Sequence, residues 1–280
     1  MKTVVISGGT DGMGKALALT CLRRGDRVVA LGSNPRKGQA LLDAARESGA
    51  DSRLEFIHAD LSLVAENRRV IDRITAAYPV VDILVLAARY YRSRRFVTME
   101  GFEANFALFY LSRYLLGHGL AERLERADAP VLLDLSGPGG ELSRIRWDDL
   151  QFAREYRPDD IMHQCGKLSD LLGVAFTRRY PDSRIAYVLL HPGLTASGFT
   201  GDYDAADAKV VAGMRERAQP MAAALPRLLR HLDNPPSARL SAFMQDDAVD
   251  VHGAPFDPGA ADRLAEITAD LLRGETVRSA

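Results

Sequence analysis

Cysteine is nearly absent from this chain. Cys21 and Cys165 are the only two among 280 residues, which excludes a disulfide framework and leaves no metal-ligand spacing. No apolar run approaches the ~20 residues needed to span a bilayer. The opening residues pass straight into an apolar β pattern without a basic n-region, so no secretory leader is expected and the cytoplasm is the expected compartment. Neither sign of charge dominates: 36 basic and 37 acidic residues give a net charge of −1 and a pI of about 6.6. That balance argues against a nucleic-acid surface or a polybasic membrane anchor. There is no internal repeat and no low-complexity segment. A small molecule is the expected partner.

What is present is apolar material, 47% of the residues, enough for one large core and a single domain over 1–280. Short apolar runs at 4–6, 27–31, 54–58, 82–86, 131–135 and 185–190 have the character of parallel strands buried on both faces. Amphipathic stretches at 15–24, 37–47, 65–78, 99–116 and 162–180 separate them. This alternation predicts an α/β fold, a doubly wound parallel sheet of Rossmann type. Leu240–Met244 is expected to be the last strand and 260–272 the last helix. The segment at 194–221 breaks the rhythm after a strand end, where it is either a lid over substrate or an ordinary surface excursion.

Residues 4–14 read V-V-I-S-G-G-T-D-G-M-G, a strand entering a glycine-rich turn before a helix. Such a turn lets a phosphate approach the backbone N–H groups at the positive end of the helix. Ser7, Gly8, Thr10, Asp11, Gly12, Met13 and Gly14 are therefore candidate nucleotide contacts. Past the second strand, L-G-S-N-P-R-K contains no acid to hold a ribose 2′-hydroxyl. Arg36 and Lys37 are placed to pair with a 2′-phosphate and Ser33 to donate to it, with Asn34 between them, so NADP(H) is favoured over NAD(H). Asp60 and Leu61 close the third strand, where Asp60 either binds the adenine amino group or caps a helix.

Together these features resemble the short-chain dehydrogenase/reductase superfamily over almost the whole chain. Ser7 to Gly14 fits its Thr-Gly-x-x-x-Gly-x-Gly, with Ser7 for threonine. Leu86-Ala87-Ala88-Arg89 stands at its Asn-Asn-Ala-Gly, of which the alanine alone survives. Glu103-Ala104-Asn105-Phe106 matches the helix of the catalytic asparagine, and His191-Pro192-Gly193 matches the Pro-Gly after the sixth strand. Trp147-Asp148-Asp149-Leu150, Tyr156 and Lys167-Leu168 look most like the retinol-dehydrogenase-like branch. The resemblance implies cofactor contacts from Ala87, Ala88, Lys167, Pro192, Gly193 and Thr195. It also implies pairing into a homo-oligomer through the helices of Asn105 and Lys167, with Tyr110, Tyr114 and Leu171 extending their apolar faces.

Of the family's catalytic asparagine, serine, tyrosine and lysine, Asn105 and Lys167 remain. The serine position falls on Gly137, with Ser136 beside it and Ser143 a more distant substitute. The tyrosine position is His163, in D-D-I-M-H-Q-C-G-K-L-S-D. An i, i+4 pair shares a helix face, so His163 and Lys167 are expected to meet one ligand. Three accounts of the missing proton donor stay open. His163 donates it, the substrate carries its own donor such as a phenol beside the ketone, or the site is inactive and the protein binds cofactor for regulation. The lost serine and tyrosine resemble the atypical ketoreductases that tailor aromatic polyketide antibiotics, the simocyclinone-type angucyclinone ketoreductases among them. That likeness implies NADPH-dependent reduction of a bulky aromatic ketone. Cys165 is expected in the core and His191 in a structural role. Arg92, Arg94 and Arg95 are either a solvated run or a contact for an anionic or aromatic ligand.

Overall fold

The computed structural model describes residues 1–278, and the alternation in the sequence becomes strands flanked by helices. The chain runs β1 (Thr3–Ser7), α1 (Gly12–Arg23), β2 (Arg27–Gly32), α2 (Pro35–Glu47), β3 (Leu54–His58), α3 (Val64–Ala77) and β4 (Ile83–Leu86). A short β5 (Tyr91–Arg92), α4 (Ala104–Phe106), α5 (Ser112–Glu125), β6 (Val131–Leu135), α6 (Pro158–Arg179) and β7 (Ala186–His191) follow. Then come β8 (Gly201–Asp202), α7 (Ala205–Arg217), α8 (Met221–Asp233), β9 (Leu240–Met244), β10 (Asp247–Val249) and α9 (Pro258–Arg278). Eight strands make one sheet in the order β10-β9-β7-β6-β4-β1-β2-β3, parallel except for the β10–β9 pair. The expected Rossmann-type doubly wound sheet is the fold.

The central strands are apolar throughout because both of their faces are covered. Val4, Val5 and Ile6 are all fully buried, with Val5 in the core on one side of the sheet and Val4 and Ile6 in the core on the other. Successive strands are laid outward from β1 to β3, and then the chain returns to β4 on the other side of β1. That reversal opens a crevice at the carboxyl ends of β1 and β4, the place where open α/β sheets bind ligands.

Several boundaries differ from the sequence expectations. Leu240–Met244 is not the last strand, since Gln245 at φ +57 turns the chain back into the antiparallel β10. The helix expected from residue 99 begins at Ala104. Thr98 first closes a turn with Phe102 (2.8 Å), and the Glu103 carboxylate then caps the helix by accepting from the Phe106 N–H (2.7 Å). From there it runs through a π-helical stretch at Ala107–Leu111 into α5. The segment after β7 contains ordered elements, with β8 pairing in parallel with β5 and α7 following.

The helix α9 lies against α6 and the π-helical stretch. Tyr110 Oη is 2.6 Å from Thr268 Oγ1, and Arg178 pairs with Asp262 at 3.0 Å. Of the three residues expected to extend a pairing face, Tyr110 and Leu171 are buried within the chain, Tyr110 against Thr268 of α9, and Tyr114 is half-buried. No helix among the described residues is long and apolar enough to cross a membrane.

Candidate active site

The glycine-rich turn between β1 and α1 is built so that its backbone is close to everything around it. Gly8 sits at φ +71, and a Cβ there would lie 2.9 Å from the Ala88 Cα; one at Gly14 would strike the Gly8 carbonyl. Ser7 Oγ accepts from the Ala87 and Ala88 N–H groups (3.1 and 3.3 Å), which fixes the end of β4 beside the turn. Thr10 is buried with its hydroxyl against Gly32, Met13 is half-buried, and Asp11 caps α1 by accepting from the Gly12 N–H at 2.8 Å. This cradle at a helix N-terminus fits a dinucleotide pyrophosphate.

The groups expected at the adenosine end are not all free. Lys37 Nζ is paired with the Asp11 carboxylate, and the Thr200 hydroxyl donates to the same oxygen at 2.6 Å. Burial alone would raise the Asp11 pKa, but the hydrogen bonds from Lys37, Thr200 and the Gly12 N–H, with the charge of Lys37, together hold the carboxyl below its usual value. Asn34 caps α2 by accepting from the Lys37 N–H, while Ser33 and Arg36 are exposed. Asp60 accepts from the Ser62 N–H and hydroxyl (3.0 and 2.7 Å), the local-turn alternative, next to buried Leu61.

On the substrate side, Lys167 is only 2% exposed and its ammonium is 2.8 Å from the Asp170 carboxylate, which also accepts from the Gly139 N–H at 2.9 Å. Burial pushes the Lys167 pKa down and that of Asp170 up to about 6, each shift partly offset by the other's charge. Asn105 is buried and donates to the Tyr156 hydroxyl at 2.8 Å, and that hydroxyl donates to the Arg92 carbonyl at 3.0 Å. His163 is exposed, with Nδ1 2.7 Å from the Asp159 carbonyl. His163 and Lys167 therefore share a helix but not an environment.

At the serine position Gly137 is exposed, and a Cβ there would meet nothing nearer than His191 Cδ2 at 3.9 Å. Ser136 is buried with its hydroxyl unpaired, and Ser143 bonds to Glu141 at 3.3 Å in an exposed turn. Cys165 is fully buried in the core. His191 accepts from the Gly193 N–H at 3.2 Å, shaping the turn that leads to Pro192, whose carbonyl accepts from Gln219 (2.7 Å), and to buried Thr195.

Asp170, Tyr156 and Arg89 were given no role from the sequence. Asp170 was within reach, since a carboxylate three residues after a lysine lies on the same helix face. Tyr156 carries no such signal, because it meets Asn105 across 51 residues of chain. Beneath the site Arg113 and Asp134 form a buried pair, and Tyr187 donates to Asp134 at 3.2 Å.

Comparison with known proteins agrees with this geometry. Human retinol dehydrogenase 13 is 27% identical over 194 residues, 69% of this chain and 59% of its own length. A Streptomyces sp. (strain C5) protein assigned as daunorubicin C-13 ketoreductase DnrU is 30% identical over 194 residues, 69% of this chain and 65% of its own. The chain thus matches about three fifths of the length of these curated relatives. The crystal structure of a short chain dehydrogenase from Burkholderia cenocepacia J2315 in complex with NADP superposes with a TM-score of 0.66 at 17% identity, covering 88% of this chain and 96% of that one. Within a Rossmann-type fold, residues 2–132, just under half of the chain and including the glycine-rich turn and Asn105, match the family model of the short chain dehydrogenases.

Proposed function

We propose that the protein is an NADPH-dependent ketoreductase, one domain over 1–280 acting in the cytoplasm on a ketone of a bulky, hydrophobic, aromatic polyketide. The substrate's own phenol delivers the proton. The observation that carries this reading is the pairing of an intact nucleotide cradle and Lys167 with Gly137 and His163 at the positions where serine and tyrosine hydroxyls would stand. The name of the daunorubicin-related relative supports the substrate class. A bound nicotinamide supplies the hydride. Asn105 and Lys167 line the site, and the ketone is held beside the hydride donor, a positioning effect worth several kcal/mol.

His163 is the weaker donor for a specific reason. A carbonyl oxygen only accepts, so the Asp159 contact places a proton on Nδ1 and leaves Nε2 of the neutral ring as an acceptor. His163 can therefore give up a proton at Nε2 only as the imidazolium. A second reading, a cofactor-binding sensor without turnover, is favoured by the internal pairing of Lys167 with Asp170 and of Asn105 with Tyr156.

The test compares steady-state turnover of an aromatic ketone bearing an adjacent phenol with that of its deoxy analogue, in wild type and His163→Phe. The proposal expects His163→Phe to keep most activity and the deoxy ketone to react poorly. A loss on the order of 10²-fold in the variant with cofactor binding intact would transfer the role to His163, and no turnover of any ketone would favour the sensor. Calorimetric titration should show NADPH binding more tightly than NADH. The preference should shrink in Arg36→Ala, since Arg36 is exposed while Lys37 is already paired with Asp11.

A further inference from the structure

The residue after Ala88 is an arginine, and its surroundings set it apart from Arg92 and Arg95. Arg92 stacks on Tyr90 and Phe96, at 4.6 and 5.1 Å from the ring centroids, and Arg95 donates to the Gln151 carbonyl at 3.3 Å. Arg89 has no hydrogen bond or ion pair with any described residue; its one close partner is the face of Phe109, 5.6 Å away. It is exposed to solvent. The chain runs from Ala88, which lies against Gly8, to Tyr91, which stacks on Tyr203, so Arg89 stands between the glycine-rich turn and that aromatic pair. Its charge is also felt at His191, which lies next to Gly137. Arg89 therefore stands just past the carboxyl end of β4, where the crevice opens, with Phe109 beneath its guanidinium.

An exposed guanidinium with no anion beside it is an open partner for one, and an anionic oxygen that arrives with the ligand would form a charge-assisted hydrogen bond there. The walls suggest what that ligand is. Tyr91 and Tyr203 stack at 5.3 Å across the β5–β8 pair, and Phe109 lies beneath the guanidinium, so the cation is framed by flat rings. We propose that Arg89 is a specificity-determining residue that binds an acidic phenolic oxygen on an aromatic ligand. The proposal rests on the aromatic-ketone reading above and deepens it. Arg89 favours the ionised phenol, and so makes the substrate's hydroxyl more willing to release the proton that the carbonyl oxygen receives.

The test reads binding without turnover. The coloured phenol 1,2-dihydroxyanthraquinone, whose absorption changes on ionisation, and anthraquinone, which has no hydroxyl, are titrated into wild type, Arg89→Gln and Arg89→Lys across a range of pH. In wild type the bound phenol should ionise at lower pH than in water. Arg89→Gln should move that transition up by about one unit and weaken binding of the ionised dye about tenfold, with Arg89→Lys between. Anthraquinone and NADPH affinities should be unchanged. A transition that ignores Arg89, or failure of wild type to bind the phenol at all, overturns the proposal. Loss of NADPH affinity in Arg89→Gln with dye binding intact overturns it in favour of a cofactor phosphate. Absence of ketone turnover alongside an Arg89-dependent transition would instead strike the reaction and leave the recognition standing.

Discussion

Lys167 and Asp170 stand three residues apart on α6 with their charged ends 2.8 Å apart, and both are withdrawn from water. The folded state holds the Asp170 proton more tightly than the unfolded chain does, because its pKa is raised from 3.8 to about 6. Its contribution to stability is therefore full below pH 4 and is lost as pH rises through 6, a change on the order of 3 kcal/mol. Urea unfolding of wild type and Asp170→Asn between pH 4 and 7 should show this as a pH-dependent difference; a difference flat in pH would refute it. At this scale the sequence was legible where a backbone shape depends on local spacing, as with the turn that Gly8 and Gly14 make. It was opaque where the role depends on a distant partner. Lys37 looked like a phosphate ligand until the fold placed Asp11 and Thr200 beside it, and Asn105 gave no hint of Tyr156.

Where α5 and α6 meet, His118 packs among Tyr114, Phe176 and Tyr180, with Nδ1 3.1 Å from the Tyr180 hydroxyl. Burial, and secondarily Arg179, push its pKa down from 6.5 to about 4. The sign is opposite to that of Asp170: stability is present above pH 6.5 and lost as pH falls through 4, again on the order of 3 kcal/mol. In wild type the two slopes oppose each other across nearly the same range, so each is read from its variant and not from the parent's profile. His118→Phe should remove the acid-side loss, measured as the wild-type-minus-variant unfolding free energy at pH 7, 5.5 and 4; equal values at all three would count against it. The elements themselves were readable because apolar runs and amphipathic stretches have different periods. The start of α4 was not, because the Thr98 turn and the Glu103 cap decide it, and neither alters the apolar pattern that extends back to Met99. The π-helical stretch beside Asn105 leaves no mark on that pattern either.

For the molecule as a whole, α9 is the piece whose position the β-α alternation could not supply. It covers Tyr110 through Thr268, and Arg263 lies over the Trp147 ring at 4.4 Å, so it closes the face of α6 that the family resemblance assigned to pairing. A chain ending at Asp257 should expose that face and self-associate or lose cooperativity in thermal unfolding. Sedimentation velocity at micromolar concentration checks this, and a truncated protein that stays monomeric and cooperative would show that α9 is dispensable. The segment after β7 has a different consequence. Ser197 stands where it nearly touches Gly12, 3.2 Å from the place a Cβ would occupy there, and Thr200 is bonded to Asp11 on the same turn, while Gly201 and Asp202 are paired to Tyr91 and Arg92 beside the substrate wall. One strap thus fastens both halves of the crevice. On the function proposed above, a dinucleotide would have to displace the contacts of this strap with Gly12 and Asp11 before lying across the turn. Turnover should accordingly follow a compulsory sequence of arrival, coenzyme before ketone, with the alcohol leaving ahead of the spent coenzyme.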